Sequence, residues 1–164
     1  MPAILVACSK SGNSGGSNNN NNGDGVLSAT IDGTNYNFTV YPTAVHVHTG
    51  SLYSVAFSGY SGPIGTGNYL EVIVGNEPAP IVAGTYYNNY VSSNLNAFID
   101  YFTMPNSVAF IATGVSPDTS TVTITTLTSD SAKGTFSGNV TNNSSGSTIT
   151  HVVTNGKFSL KFSS

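Results

Sequence analysis

The chain has 164 residues, a formal net charge of −3 and only 7% charged residues, with four lysines, no arginine and one cysteine. Four scattered lysines make no basic stripe for phosphates, which argues against a nucleic-acid partner, and a lone cysteine without CxxC or Cys/His spacing excludes an internal disulfide and a structural zinc. The length suits one domain able to bury its own core, and Ser, Thr, Asn and Gly stand where a cytosolic protein carries Lys and Glu, the habit of exported β-proteins.

The first element is a short apolar head, residues 1–7, ending in Leu5-Val6-Ala7 before Cys8. An aliphatic residue, a tolerated residue, a small residue and a cysteine form a bacterial lipobox, so residues 1–7 are read as the remnant of a signal peptide and Cys8 as the lipidation site. Two or more acyl chains on that cysteine anchor a protein stably, at about 0.8 kcal/mol per buried methylene, and no transmembrane helix is needed. Seven residues without a basic one are shorter than a secretory signal, which implies a start upstream of Met1. Residues 9–25 contain an Asn run, five glycines and no large apolar side chain, so they cannot offset their chain entropy by burial. They read as a tether that spans on the order of 20–25 Å as a flexible coil.

Residues 26–164 read as a single β domain. Leu27, Ala29 and Ile31 alternate with polar residues, Asp32-Gly33 turns the chain, and Tyr36 and Phe38 continue the apolar face in a first hairpin. Val45 and Val47 are expected to face inward and His46 and His48 outward, before Thr49-Gly50 turns into Tyr53, Val55 and Phe57. VHVH places both imidazoles on one strand face, which is half a metal site. A catalytic zinc needs a third protein ligand, and His151, on the apolar face of its own segment, is expected on a different side. His46 and His48 are therefore weak metal candidates, and no metal or cofactor is expected.

Leu70, Val72 and Val74 place Glu71 outward. The stretch GTYYNNYVSSN then offers Tyr86, Tyr87 and Tyr90 beside asparagines, a mix of flat stacking area and hydrogen bonding that suits an adaptable glycan-binding surface. In FIDYF, alternation puts Phe98, Asp100 and Phe102 on one face and Ile99 and Tyr101 on the other. Either Asp100 is buried and needs a partner, or two phenylalanines lie exposed beside a carboxylate as a ligand-binding surface. A segment at 107–113 follows, then Val122 and Ile124 alternate with threonines, and Phe136 and Val140 sit in a Gly-containing strand. Asn155-Gly156 is expected to turn a final hairpin between residues 149–154 and 157–162, with Phe158, Leu160 and Phe162 on one face. The count is about ten strands with consecutive hairpin connections, an all-β antiparallel sandwich or up-and-down barrel.

Catalytic motifs are absent. Gly59-Tyr60-Ser61-Gly62-Pro63 fails the GxSxG elbow at its last position, there is no GxxxxGK[ST] phosphate loop, and the carboxylates show no acid/base pair by spacing. The chain is read as a non-enzyme, and a hydrolase would require Asp100 or Glu71 to meet a second carboxylate in space.

The pieces IDGTNYNF at 31–38, AGTYY at 83–87, TVTITTLTSDSAKGTFSG at 121–138 and VTNGKF at 153–158 together resemble a family of small Bacteroidota lipoproteins catalogued as a domain of unknown function. The resemblance covers most of residues 26–162 and rests on turns and strand ends. It implies an outer-membrane lipoprotein facing the periplasm or the outside, and in such bacteria Asp130-Ser131-Ala132 fits an O-glycosylation pattern at Ser131. The function expected is that of a lipid-anchored envelope binding or accessory module, its ligand a glycan or an envelope protein. A structural component of an outer-membrane assembly is the alternative.

Overall fold

The structure is a computed structural model that describes residues 25–76, 78–88, 95–112, 119–142 and 149–163. It contains eleven strands: β1 (Val26–Ile31), β2 (Thr34–Asn37), β3 (Val40–Thr49), β4 (Leu52–Tyr60), β5 (Tyr69–Asn76), β6 (Gly84–Asn88), β7 (Leu95–Thr103), β8 (Val108–Ile111), β9 (Ser120–Leu127), β10 (Ser131–Asn142) and β11 (Ile149–Lys161). The expected all-β antiparallel fold is present. All eleven join one sheet in the order β2-β1-β11-β10-β8-β7-β5-β4-β3, with β9 on the first half of β10 and β6 on β9.

The sheet curls into a half-barrel because one face of nearly every strand is apolar. Leu70, Val72 and Val74 of β5 and Ile99 of β7 are fully enclosed, as are Val55 and Phe57 of β4. Each such side chain stabilises the fold by roughly 1.5–3 kcal/mol relative to exposure. The far ends of the sheet approach across this core: Phe57 of β4 stacks on Phe158 of β11 with ring centroids 4.1 Å apart. Just past β11, the Ser163 N–H donates to the Ala44 carbonyl of β3 at 2.9 Å.

Local turns follow the sequence, with Asp32 at φ 49° and Gly33 at φ 80° between β1 and β2. Positive φ at both central residues is what a tight two-residue hairpin requires, and Asp and Gly tolerate it. The connections between distant strands do not follow the expected run of consecutive hairpins. β1 pairs with β11, β10 with β8, and β6 with β9.

Two expectations are corrected. Asn155-Gly156 does not turn a hairpin; it is a bulge inside the thirteen-residue β11, with Asn155 at φ 52° and the register against β10 shifting between Phe136 and Gly138. Both halves of β11 pair with the twelve-residue β10 instead of with each other. The missing side chain of Gly156 leaves room for the Phe136 ring, which a Cβ there would strike. The second correction concerns β3. Ala44, His46 and His48 lie on the core side, opposite Phe57, Val55 and Tyr53, while Val47 points outward and is 43% exposed. β3 is the last strand on its side of the sheet, so its far half is open to solvent on both faces and tolerates histidine on the inner one.

Candidate functional site

The outer face of β4, β5 and β7 carries the densest chemistry in the molecule. The three strands are in register, so their outward residues form rows: Tyr60, Tyr69 and Phe102; then Ser58, Glu71 and Asp100; then Ala56, Ile73 and Phe98. Alternation dictates this, because Leu70, Val72, Ile99 and Tyr101 are drawn to the core and their neighbours must face out. Asn68 fixes the turn end of the face. Its side-chain amide donates to the Tyr101 hydroxyl at 2.7 Å and its oxygen accepts the Met104 N–H at 3.0 Å, tying the start of β5 to the end of β7.

The aromatic row is continuous. Tyr60 and Tyr69 rings lie 4.8 Å apart and tilted, and Tyr69 meets Phe102 edge-on at 5.7 Å. Phe98 and Phe102 are half-buried on the outer face and Asp100 between them is half-buried with one oxygen enclosed, so the structure combines features of both readings of FIDYF. On β8, Ile111 stands beside Asp100 and Ala109 beside Phe102.

Glu71 and Asp100 are direct cross-strand neighbours. Directly opposed like charges disfavour the fully ionised state. Partial burial raises the Glu71 carboxyl above its ordinary value; burial first, and the Glu71 charge second, push Asp100 up to about 6. The Asp100 Oδ1 atom is enclosed and accepts no hydrogen bond. Burial also raises the Tyr69 phenol, against a hydrogen bond with Ser58. The described lysines, Lys133, Lys157 and Lys161, all lie exposed on β10 and β11. Such a pair keeps a proton to higher pH than ordinary carboxyls do, and when ionised it presents acceptors to hydroxyl or ammonium donors.

The tyrosine stretch is not brought together as a surface. Tyr86 is buried, its hydroxyl donating to the Val82 carbonyl at 2.7 Å and accepting the Val82 N–H at 3.0 Å, so it anchors the chain entering β6 and is unavailable to a ligand. Tyr87, on the opposite face of β6, is 47% exposed, and Tyr90 lies outside the described residues. His46 and His48 share a face, as expected, but His48 stacks on Tyr53 at 4.0 Å and His46 lies tilted on Phe162 at 5.7 Å. No group of three metal-ligating side chains occurs among the described residues. Ser131 sits in the turn from β9 to β10, its N–H donating to Thr128 Oγ1 at 3.0 Å. Cys8 and the tether lie outside the described residues.

The sequence reading missed two features. Tyr60 and Tyr69 join the face only through strand pairing. Asp32, at the first turn, pairs with His151 Nδ1 and accepts the Val152 N–H at 2.8 Å, fastening that turn to β11. These two contacts hold the Asp32 carboxyl below its ordinary value, the histidine hydrogen bond most strongly. His151 also packs edge-on against Phe110 at 4.2 Å, on the core side of β11.

No family model, no curated protein and no solved structure matches the chain.

Proposed function

We propose that the chain is a lipid-anchored, non-catalytic binding module of the cell envelope that holds a glycan against the outer face of β4, β5 and β7. The observation that carries this reading is the acid pair Glu71/Asp100 set between rows holding Tyr60, Tyr69 and Phe102 on one side and Phe98 on the other. Aromatic faces stack on the apolar faces of sugar rings, and carboxylates accept hydrogen bonds from their hydroxyls. Half-buried apolar residues around a few convergent polar groups are what a ligand-binding surface requires. Leu5-Val6-Ala7-Cys8 and the Ser/Gly/Asn tether support attachment to the outer membrane through Cys8.

Two measurements test it. Amide resonances of β5 and β7 shift on titration with the glycan that binds, and Phe102→Ala abolishes the shifts; a glycan panel that leaves those resonances unmoved overturns the binding reading. Intact mass of the full-length product from membranes exceeds that of its Cys8→Ser variant by the acyl groups. Equal masses, after the substitution is allowed for, remove the anchor. Co-purification of a stoichiometric envelope protein makes the domain an assembly component instead.

A second reading, hydrolysis of the bound glycan, draws on the same pair. Asp100, pushed up to about 6 beside a second carboxyl, is the candidate for the proton-carrying member that a general acid and its partner carboxylate need. Release of new reducing ends that Asp100→Asn abolishes decides for hydrolysis, and binding without turnover decides for the module.

A further inference from the structure

The outer face of β4, β5 and β7 holds two carboxylates for which the described part of the chain supplies no counter-ion. Lys133, Lys157 and Lys161 are all on β10 and β11, and His151 is engaged by Asp32 on the core side. Among the described residues, the cross-strand neighbours of Glu71 and Asp100 besides each other are Ser58 and Ile111, neither of which carries positive charge. Asp100 Oδ1, enclosed and without a donor, is the sharpest expression of that deficit. A neutral hydroxyl offers the pair a hydrogen bond but leaves the repulsion between the carboxylates intact. An ammonium group brings three donors and the missing charge together.

The spacing of the face says what body the ammonium rides on. Successive outward rows on a strand are about 7 Å apart, so a ring lying on Phe102 or Phe98 carries a substituent on its edge over the row of Glu71 and Asp100. Tyr60, Tyr69 and Phe102 form a continuous aromatic strip rather than an isolated ring, which offers successive apolar contacts to a chain of sugar rings.

We infer that the ligand of this face is a glycan bearing free primary amino groups, the sugar rings stacking on the aromatic rows and an ammonium group sitting between Glu71 and Asp100. This inference rests on the proposal that the face binds a glycan, and goes beyond it in naming the charge.

Amide resonances of the full chain, followed during titration with a glucosamine tetramer and separately with the fully N-acetylated tetramer, test it. The two probes share a skeleton and differ in charge. The expected result is that the glucosamine tetramer shifts β5 and β7 resonances and binds tighter than the acetylated one by about tenfold or more, as an added charge-assisted hydrogen bond implies. Glu71→Gln and Asp100→Asn, which keep side-chain shape, each erase that preference while the rest of the spectrum stays that of the folded chain. Equal binding of the two tetramers overturns the amino-sugar inference and leaves the glycan reading standing. Absence of shifts with either overturns the amino-sugar inference, and the glycan reading falls only if the wider glycan panel also leaves β5 and β7 unmoved. Tetralysine binding as tightly as the glucosamine tetramer overturns the choice of a glycan, because charge alone then explains recognition.

Discussion

Glu71 of β5 and Asp100 of β7 face each other across an antiparallel pair, two carboxylates in register on the same side of the sheet. A sheet assembled for stability alone avoids this, since like charges directly opposite one another cost free energy and lose hydration together. Their placement beside aromatic side chains makes the pair the centre of the proposed binding face and also a weak point, and both properties are measurable.

Removing one charge stabilises the fold. Asp100→Asn or Glu71→Gln raises the unfolding free energy at neutral pH by about 1 kcal/mol, because repulsion is relieved and shape is retained. Denaturant midpoints at unchanged slope check this. The double substitution adds less than the sum of the two, since either one already removes the repulsion.

Stability has a maximum in mildly acidic solution. Asp100 has a folded value raised to about 6, so between its unfolded value near 3.8 and that point the folded state holds a proton that the unfolded chain has released. Stability from this group is therefore greatest below about pH 4 and falls as the pH climbs toward 6, with Glu71 adding in the same direction. After allowance for solvent at a half-open face, the change is on the order of 1–2 kcal/mol. Asp32 acts oppositely, because its folded value is lowered: its contribution is present above its unfolded value and is lost as pH falls through the folded one. Melting temperature against pH thus peaks near the boundary between the two windows, and Asp100→Asn flattens the limb from 4 to 6 while leaving the acid limb in place.

The fastening of the first turn to the last strand is separable from the face. Asp32→Ala removes the acceptor of both the His151 ring and the Val152 N–H, and lowers stability by about 1–2 kcal/mol, the range for hydrogen bonds to a partly exposed carboxylate. The spectrum of β5 stays unchanged in this variant, while Tyr101 of β7, whose ring meets His151 at 5.5 Å, moves with the histidine.

Tyr86 serves as a control among the tyrosines. Tyr86→Phe loses the two hydrogen bonds to Val82, costs about 1 kcal/mol in thermal unfolding, and leaves ligand binding intact. Gly156→Ala costs more, about 1–3 kcal/mol or above, because the new methyl group meets the Phe136 ring and carbonyl inside the bulge. A large drop in denaturant midpoint is the expected reading.

What was legible in the chain was whatever depends on near neighbours. Alternation in β5 assigned Leu70 and Val72 to the core and Glu71 outward, alternation in β7 separated Phe98, Asp100 and Phe102 from Ile99 and Tyr101 without saying which face was the core, and Asp32-Gly33 made its turn. What was not legible depends on which strand lies beside which. Nothing local says that Glu71 meets Asp100 or that Asp32 meets His151, since those contacts are made by pairing between segments far apart in the chain. Asn155-Gly156 misled because its preference for positive φ serves a bulge as well as a turn, and the choice belongs to β10. In VHVH the alternation itself was ambiguous. On an edge strand with both sides wet, neither residue type is compelled inward.

The pairing of β1 with β11 has a consequence for the order of assembly. Thr30 lies against Thr154, 124 residues later, so the first strand acquires its principal neighbour only when nearly the whole domain is present. Contacts of such sequence separation pay their loop-closure entropy before they return any stabilisation, which makes folding slow and late. A chain built this way has only the short β1–β2 hairpin at its leading end while the rest is being synthesised, and that hairpin waits for its neighbour in the sheet. The fold closes when its last strand arrives to fill the gap between β1 and β10.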